Sequence, residues 1–343
     1  MTVVPTVDCV DYHTAGEPFR IVPAGTVPIA GDSVAERRAI AVQADGTPRP
    51  TAMESVRRLL CHEPRGHADM YGGFVVPPDD DGAHLGVLFW HKDGYSTACG
   101  HGTIALGAWA VDSGLVVAPE DGEVTVRIDV PSGRVAARVR RAGGQTRAVT
   151  FRNVPARTSA LEVEVRTADF GEVSLDLAHA GACYAVLSAD RLGLAPTPEA
   201  LPELIRAGRQ IRAALEGHPA TREPRDPRLS GVYGVLLHQR EPAPDGFALA
   251  LRSVTVFADG QVDRSPCGSG TSALLAVLTE RGLLPMGEEL HHRSVIGSVF
   301  TARVAETVAA GFVTEITGSA HRTGAHRFEL DPLDALGTGF VLR

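Results

Sequence analysis

Residues 263–275 read DRSPCGSGTSALL, and residues 97–108 read TACGHGTIALGA. Both contain C-G-x-G-T-x-A, and both open an apolar stretch. Cys99 and Cys267 stand 168 residues apart in a chain of 343. A lone Cys-Gly run is a weak signal, because an isolated cysteine is ordinarily a small buried hydrophobe. Two matched runs at half-chain spacing are what a duplicated lobe leaves behind.

The flanks of the two runs also match. Each follows a hydrophobic strand and an Asp-Gly turn, VLFWHKDG before Cys99 and VTVFADG before Cys267. Each apolar stretch predicts a helix, closed by Gly114 in one case and Gly282 in the other. Both helices are apolar on all sides, which predicts that each lies inside its own lobe. Further helices are expected at ESVRRLLCH after Thr51 and at PELIRAGRQIRAALEGH. Short strands are expected at FRIVPA, HADMYGGFVVP, HLGVLFWH, EVTVRIDVP, GRVAARVRRA, TRAVTFRNVP, EVEVRTADFG, EVSLDLAHAG, CYAVLSA, GVYGVLLHQ, ALRSVTVFAD and FVTEIT. The expected organisation is α+β. A lobe over 1–153 carries Cys99, with about 325–343 returning to it, and a lobe over 154–324 carries Cys267.

Composition narrows the function classes. Hydrophobic residues at 44% and charged residues at 22% describe an ordinary globular chain. A net charge of −8 argues against a nucleic-acid partner, which would call for a basic face. Lys92 is the only lysine and sits beside an Asp-Gly turn, a poor place for a pyridoxal aldimine. Cys9, Cys61, Cys99, Cys183 and Cys267 are odd in number and widely spaced, which suggests neither a disulfide framework nor a zinc site. Cys9, Cys61 and Cys183 are read as packing residues, and the histidines of ELHHRS as surface residues. The first residues show no basic segment followed by an apolar run, and no apolar stretch is long enough to span a membrane, so a cytoplasmic protein without a membrane partner is expected.

The paired motif has a chemical reading. A helix N-terminus offers N–H groups and a positive dipole end, which bind anions and favour thiolate over thiol. Glycines beside the cysteine let a ligand approach the backbone. Two such ends facing one another would hold a small carboxylate between two thiols. One thiolate could then remove an α-proton while the opposite thiol returns a proton to the other face. Backbone N–H groups would stabilise the charge that develops on the carboxylate.

The stretches DYHTAGEPFRIV, EPRGHADMYGGFVVPP, GYSTACGHGTIALG, DRSPCGSGTSA, SVIGSVF and EITGSAHRTGAHRFELDPLDALGTGF resemble the proline racemase family, which includes hydroxyproline 2-epimerases. The resemblance covers nearly the whole chain. It implies a diaminopimelate-epimerase-like fold of two pseudo-symmetric lobes, a cleft between them, and two-base catalysis without cofactor or metal. It implies Cys99 and Cys267 as the acid/base pair, with His101 and Asp263 on the substrate nitrogen. Backbone groups of Gly100, His101, Gly268 and Ser269 would hold the carboxylate. Taken alone, Asp263 reads equally well as a turn residue. The ring would be met by Tyr71, Gly234 and Phe257, where proline racemases tend to carry Phe, Cys and Phe. A tyrosine hydroxyl and an absent side chain suggest a roomier, more polar pocket, although Tyr71 reads equally well as a core aromatic. Ala15, Ala98 and Ala180-Gly181-Ala182 depart from the family's usual residues.

The expected activity is 2-epimerisation of hydroxyproline, trans-4-hydroxy-L-proline first. The alternatives are proline racemase and trans-3-hydroxy-L-proline epimerase or dehydratase. In the dehydratases one cysteine is typically Thr or Ser, whereas both are present here. A Cys-His hydrolase leaves the second motif unexplained, and a non-catalytic amino-acid-binding protein would be expected to lose a thiol. The expected partner is a small imino acid, and a homodimer is left open.

Overall fold

The computed structural model describes residues 6–43 and 46–342. The chain divides into two compact units, Met1–Val149 with Ser319–Arg343, and Thr150–Gly318. Along the chain come β1 (Thr6–Thr14), β2 (Glu17–Val22), α1 (Val34–Ala41), α2 (Ala52–Cys61), β3 (Tyr71–Val76), β4 (Leu85–His91), β5 (Gly94–Tyr95), α3 (Gly100–Asp112), β6 (Gly122–Val130) and β7 (Gly133–Ala142). After β8 (Gln145–Arg152) the second unit holds β9 (Arg157–Thr167), β10 (Gly171–His179), β11 (Cys183–Ser188), α4 (Leu201–Ala214), β12 (Val232–Glu241), β13 (Leu249–Phe257), β14 (Gln261–Val262), α5 (Gly268–Glu280), β15 (Leu290–Ser294), β16 (Val299–Val308) and β17 (Gly311–Gly318). Finally, β18 (Ala320–Glu329) returns to the first unit and pairs with β1.

Both units follow one strand plan. In the first, β18, β1, β2, β3, β4, β6 and β7 are successive neighbours, with β2–β3 and β4–β6 parallel and the rest antiparallel. In the second, β9, β10, β11, β12, β13, β15, β16 and β17 are successive neighbours, with β11–β12 and β13–β15 parallel. A parallel pair needs a crossover segment. The first crossover of each unit runs through α1 and α2, or through α4. The second runs through a two-residue return strand and then a cysteine helix, β5 and α3 in one unit, β14 and α5 in the other.

The apolar composition of α3 and α5 follows from where they lie. Strands from both edges of each sheet reach the helix, so the sheet wraps it: α3 packs on β1, β2, β6, β7 and β18, and α5 on β9, β10, β11, β12, β16 and β17. All of α3 except Trp109 and Asp112 is buried, and all of α5 except Thr279 and Glu280. Close packing explains Gly107 within α3, where an added Cβ would stand 2.5 Å from the Ala137 Cβ of β7. The expected Gly closures are also present: Gly114 and Gly282 have φ of +75° and +67°, the left-handed conformation that glycine adopts without a Cβ penalty.

Every helix and strand predicted from periodicity is present, with shifted ends. Thr51 caps α2 by accepting the Glu54 N–H at 3.2 Å. The pattern does not reveal α1, β1, β5, β14, β15, β16 and β18. In β18 only the first residue is buried, so its hydrophobic alternation is weak. The reading of ELHHRS as surface is incorrect. Leu290–Ser294 within it form β15, parallel to β13, which directs His292 into the unit's interior with no solvent exposure and leaves His291 half-buried.

Burial along α5 predicts a large cost for truncation there. Leu274→Ala should destabilise the protein by about 2–5 kcal/mol in urea unfolding, from lost apolar contact and the cavity left behind. Val117→Ala, at a 91% exposed site, should stay within about 0.5 kcal/mol. Equal effects would contradict the central placement of α5.

Candidate active site

Each cysteine is the N-cap of its helix. Cys99 Sγ accepts the Gly102 N–H at 3.2 Å, and Cys267 Sγ accepts the Gly270 N–H at 3.4 Å. Ser, Thr, Asp and Asn are the strong capping residues because oxygen is the better acceptor. A sulfur cap repeated at both helices holds a thiol against the positive end of a helix dipole. Gly102 and Gly270 are both required by closeness: an added Cβ would stand 2.8 Å and 2.9 Å from the respective cysteine sulfur. Gly100 and His101, like Gly268 and Ser269, open the first turn, where α-helical N–H groups have no intrahelical carbonyl to meet.

In the first unit, His101 stands beside Cys99, with its ring nitrogens 3.5 and 3.6 Å from Sγ. Its carbonyl accepts the Thr14 hydroxyl at 2.9 Å. The imidazole meets Tyr71 edge-to-face at 4.9 Å and Phe19 at 5.8 Å between ring centroids. Burial pushes its pKa down to about 3, so it is neutral at working pH. A neutral imidazole offers one donor and one acceptor rather than an ion-pair partner. Tyr71 is buried and its hydroxyl bonds to Ser96 Oγ, three residues before Cys99. It is therefore a packed aromatic and also a neighbour of the site.

In the second unit, Asp263 follows β14 with its N–H donated to the Thr255 carbonyl at 3.0 Å. Its Oδ1 accepts both the N–H and the hydroxyl of Ser265, at 2.8 and 2.7 Å. Ser265 Oγ in turn accepts the Cys267 N–H at 3.1 Å. Residues 263, 265 and 267 thus form one chain, and Ser265 is a site residue that the sequence reading passed over. The D-x-S-x-C spacing within DRSPC was the available signal. Burial, opposed by the Ser265 bonds, raises the Asp263 pKa to about 6. Burial and then the Asp263 charge push the Cys267 thiol well above its ordinary value. Cys267 also has φ of +67°, unusual for a residue with a Cβ. Nearby, the Tyr184 hydroxyl and Ser269 Oγ lie 2.6 Å apart.

Gly234 and Phe257 are register partners in β12 and β13, as Tyr71 and His91 are in β3 and β4. Neighbours stand close around the Gly234 backbone. An added Cβ there would stand 3.2 Å from Tyr184 Cε1 and 3.3 Å from both Phe257 Cβ and Thr255 Cγ2. The absent side chain lets three neighbours close up.

Cys9, Cys61 and Cys183 are buried, and burial raises each thiol to about 12, as packing residues should be. Lys92 is buried with its ammonium on the Asp93 carboxylate at 2.8 Å. Among the described residues no helix is long and apolar enough to cross a membrane.

A sequence profile described as proline racemase matches residues 9–341. The chain is 37% identical over 345 residues to a trans-L-3-hydroxyproline dehydratase of Xenopus tropicalis, covering 99% of this chain and 96% of that one. It is 38% identical over 348 residues to a 3-hydroxyproline 2-epimerase of Burkholderia multivorans, covering both chains fully. Among solved structures, a hydroxyproline epimerase from Agrobacterium vitis with bound trans-4-hydroxy-L-proline superposes with a TM-score of 0.88 at 31% identity, over 98% of this chain and 96% of that one. The diaminopimelate-epimerase-like α+β fold expected from the sequence is the fold found.

The raised Asp263 pKa has a testable sign. A carboxyl at about 6 folded and about 3.9 unfolded contributes stability that is full below the unfolded value and is lost as pH rises through the folded one. Asp263→Asn should therefore gain stability relative to the parent protein between pH 4 and 7 in urea titrations. A difference that stays flat across that range would contradict the buried carboxyl.

Proposed function

The chain belongs to the proline racemase family, and from that premise we propose that it inverts C2 of a hydroxyproline, trans-3-hydroxy-L-proline first, by proton transfer between Cys99 and Cys267. The observation that carries this reading is the matched pair of thiols capping α3 and α5. The reading requires the two sulfurs to act on opposite faces of one α-carbon. One thiolate takes the α-proton and the other thiol gives its proton to the far face, so one C–H bond breaks, another forms and no electrons are transferred. Backbone N–H groups of Gly100, His101, Gly268 and Ser269 bind the carboxylate and stabilise the enolate-like charge. The Asp263 carboxylate receives the cationic imino nitrogen, and neutral His101 supplies a hydrogen-bond acceptor beside it.

The sequence places 4-hydroxyproline first. The relatives at 37% and 38% identity are named for 3-hydroxyproline, against 31% for the structure holding the 4-hydroxy compound, and this favours the 3-hydroxy ring. Dehydration is the second reading, supported by the dehydratase name of the Xenopus relative. Loss of the α-proton with departure of the 3-hydroxyl as water needs one base only. Retention of both thiols favours inversion. A Cys-His hydrolase fits less well, because His101 is held neutral and the second cysteine cap would then have no role.

Incubation with trans-3-hydroxy-L-proline, trans-4-hydroxy-L-proline and L-proline, followed by chiral chromatography, should give the D-epimer of the 3-hydroxy substrate fastest. A Δ1-pyrroline product from it would establish dehydration, and no conversion of any of the three would overturn the assignment. Cys99→Ser and Cys267→Ser should each lower inversion by about 10²–10⁴-fold. Because the carboxylate form of Asp263 binds the amine, kcat/KM should rise with pH through an apparent pKa near 6.

A further inference from the structure

His292, on a strand that follows the Cys267 helix, is built into the support of that cysteine. It has no solvent exposure, and neither do Ser253 and Thr271 on its two sides. Ser253 Oγ lies 2.7 Å from Nε2, and Thr271 Oγ1 lies 2.8 Å from Nδ1. Thr271 Oγ1 also donates to the Pro266 carbonyl at 3.1 Å. A hydroxyl has one proton, so Thr271 must accept from Nδ1–H, and Ser253 must then donate to Nε2. Burial holds the imidazole neutral, with a pKa near 3, as this arrangement requires. The result is a directed chain, Ser253 to His292 to Thr271 to the peptide oxygen that immediately precedes Cys267.

That peptide is where the backbone is strained. Cys267 has φ of +67°, whereas its counterpart Cys99 has φ of −156°. A non-glycine residue in the left-handed region is disfavoured and persists only where surroundings over-determine it. The N–H side of Cys267 is held by Ser265. The repeat shows how the other side is held. Thr103 and Thr271 each stand four residues after their cysteine, and each donates its N–H to the cysteine carbonyl. Thr103 Oγ1 donates to that same carbonyl, at 2.8 Å. Thr271 Oγ1 is directed one residue further back, to Pro266, and has the histidine behind it.

We infer that His292 is a positioning residue for Cys267: through Thr271 it fixes the Pro266–Cys267 peptide and so aims the sulfur. The catalytic meaning of this role rests on the function proposed for Cys267, but the geometry does not. The test is therefore a reactivity measurement that needs no substrate. The intact protein is treated with iodoacetamide at pH 7–9, and alkylation of Cys267 and Cys99 is followed by peptide mass spectrometry, with Cys99 as internal reference.

Released from its strained position beside Asp263, Cys267 should react about tenfold faster in Thr271→Val and His292→Leu, the scale of one lost buried hydrogen bond. Cys99 should be unchanged. His292→Asn keeps a donor at the Nδ1 position and should return the ratio towards the parent value. Thr271→Val conserves shape, so it stands as the test even if His292→Leu fails to fold. An unchanged ratio in Thr271→Val, or equal acceleration of both cysteines, would overturn the positioning role. A shifted ratio in a protein that inverts no proline would retain it and overturn the proposed function instead.

Discussion

A sulfur bound to the third N–H of a buried helix is the contact on which the arrangement turns. It occurs twice, at Gly102 and Gly270, and each unit's sheet wraps the helix that carries it. Sulfur is a weak cap, so the repetition is better explained by what the cap does to the thiol than by helix stability. The helix end favours thiolate, while burial opposes it. At Cys267 burial and the Asp263 carboxylate prevail and keep the proton on sulfur. A protonated thiol is the form that one side of an inversion reaction has to start from.

The units share a strand plan but differ around their cysteines. In the first, a neutral imidazole stands beside Cys99, and the neighbouring rings of Tyr71 and Phe19 both meet His101 edge-to-face. In the second, a carboxyl, a serine and a strained backbone surround Cys267. The shared plan gives the scaffold, and the residues at i+2 and i−4 give each cysteine its own surroundings.

Much of this was legible in the residues. The cysteine caps, their glycine closures and the apolar helices were readable because capping chemistry and helical periodicity are local. His101 and Asp263 were reachable only through resemblance, since a histidine or an aspartate in a turn has many uses. Ser265 and Tyr184 were not found, because a serine inside a turn and a tyrosine inside an apolar strand look like ordinary structure. His292 was misread for a related reason. Polar neighbours in ELHHRS suggest a surface, and only the pairing of β15 with β13 shows that alternate residues point inward. A sequence likewise records the missing side chain of Gly234 but not how near Tyr184, Phe257 and Thr255 stand to it.

The central claim is that two different thiols serve the two faces of one carbon. The most direct measurement is isotope partitioning in deuterated water at a few per cent conversion, with the recovered substrate and the newly formed epimer analysed separately by mass spectrometry. Two bases predict one α-deuterium in the epimer and protium retained in the recovered substrate. Deuterium entering recovered substrate as fast as the epimer forms would mean that a single group serves both faces, and would contradict the account.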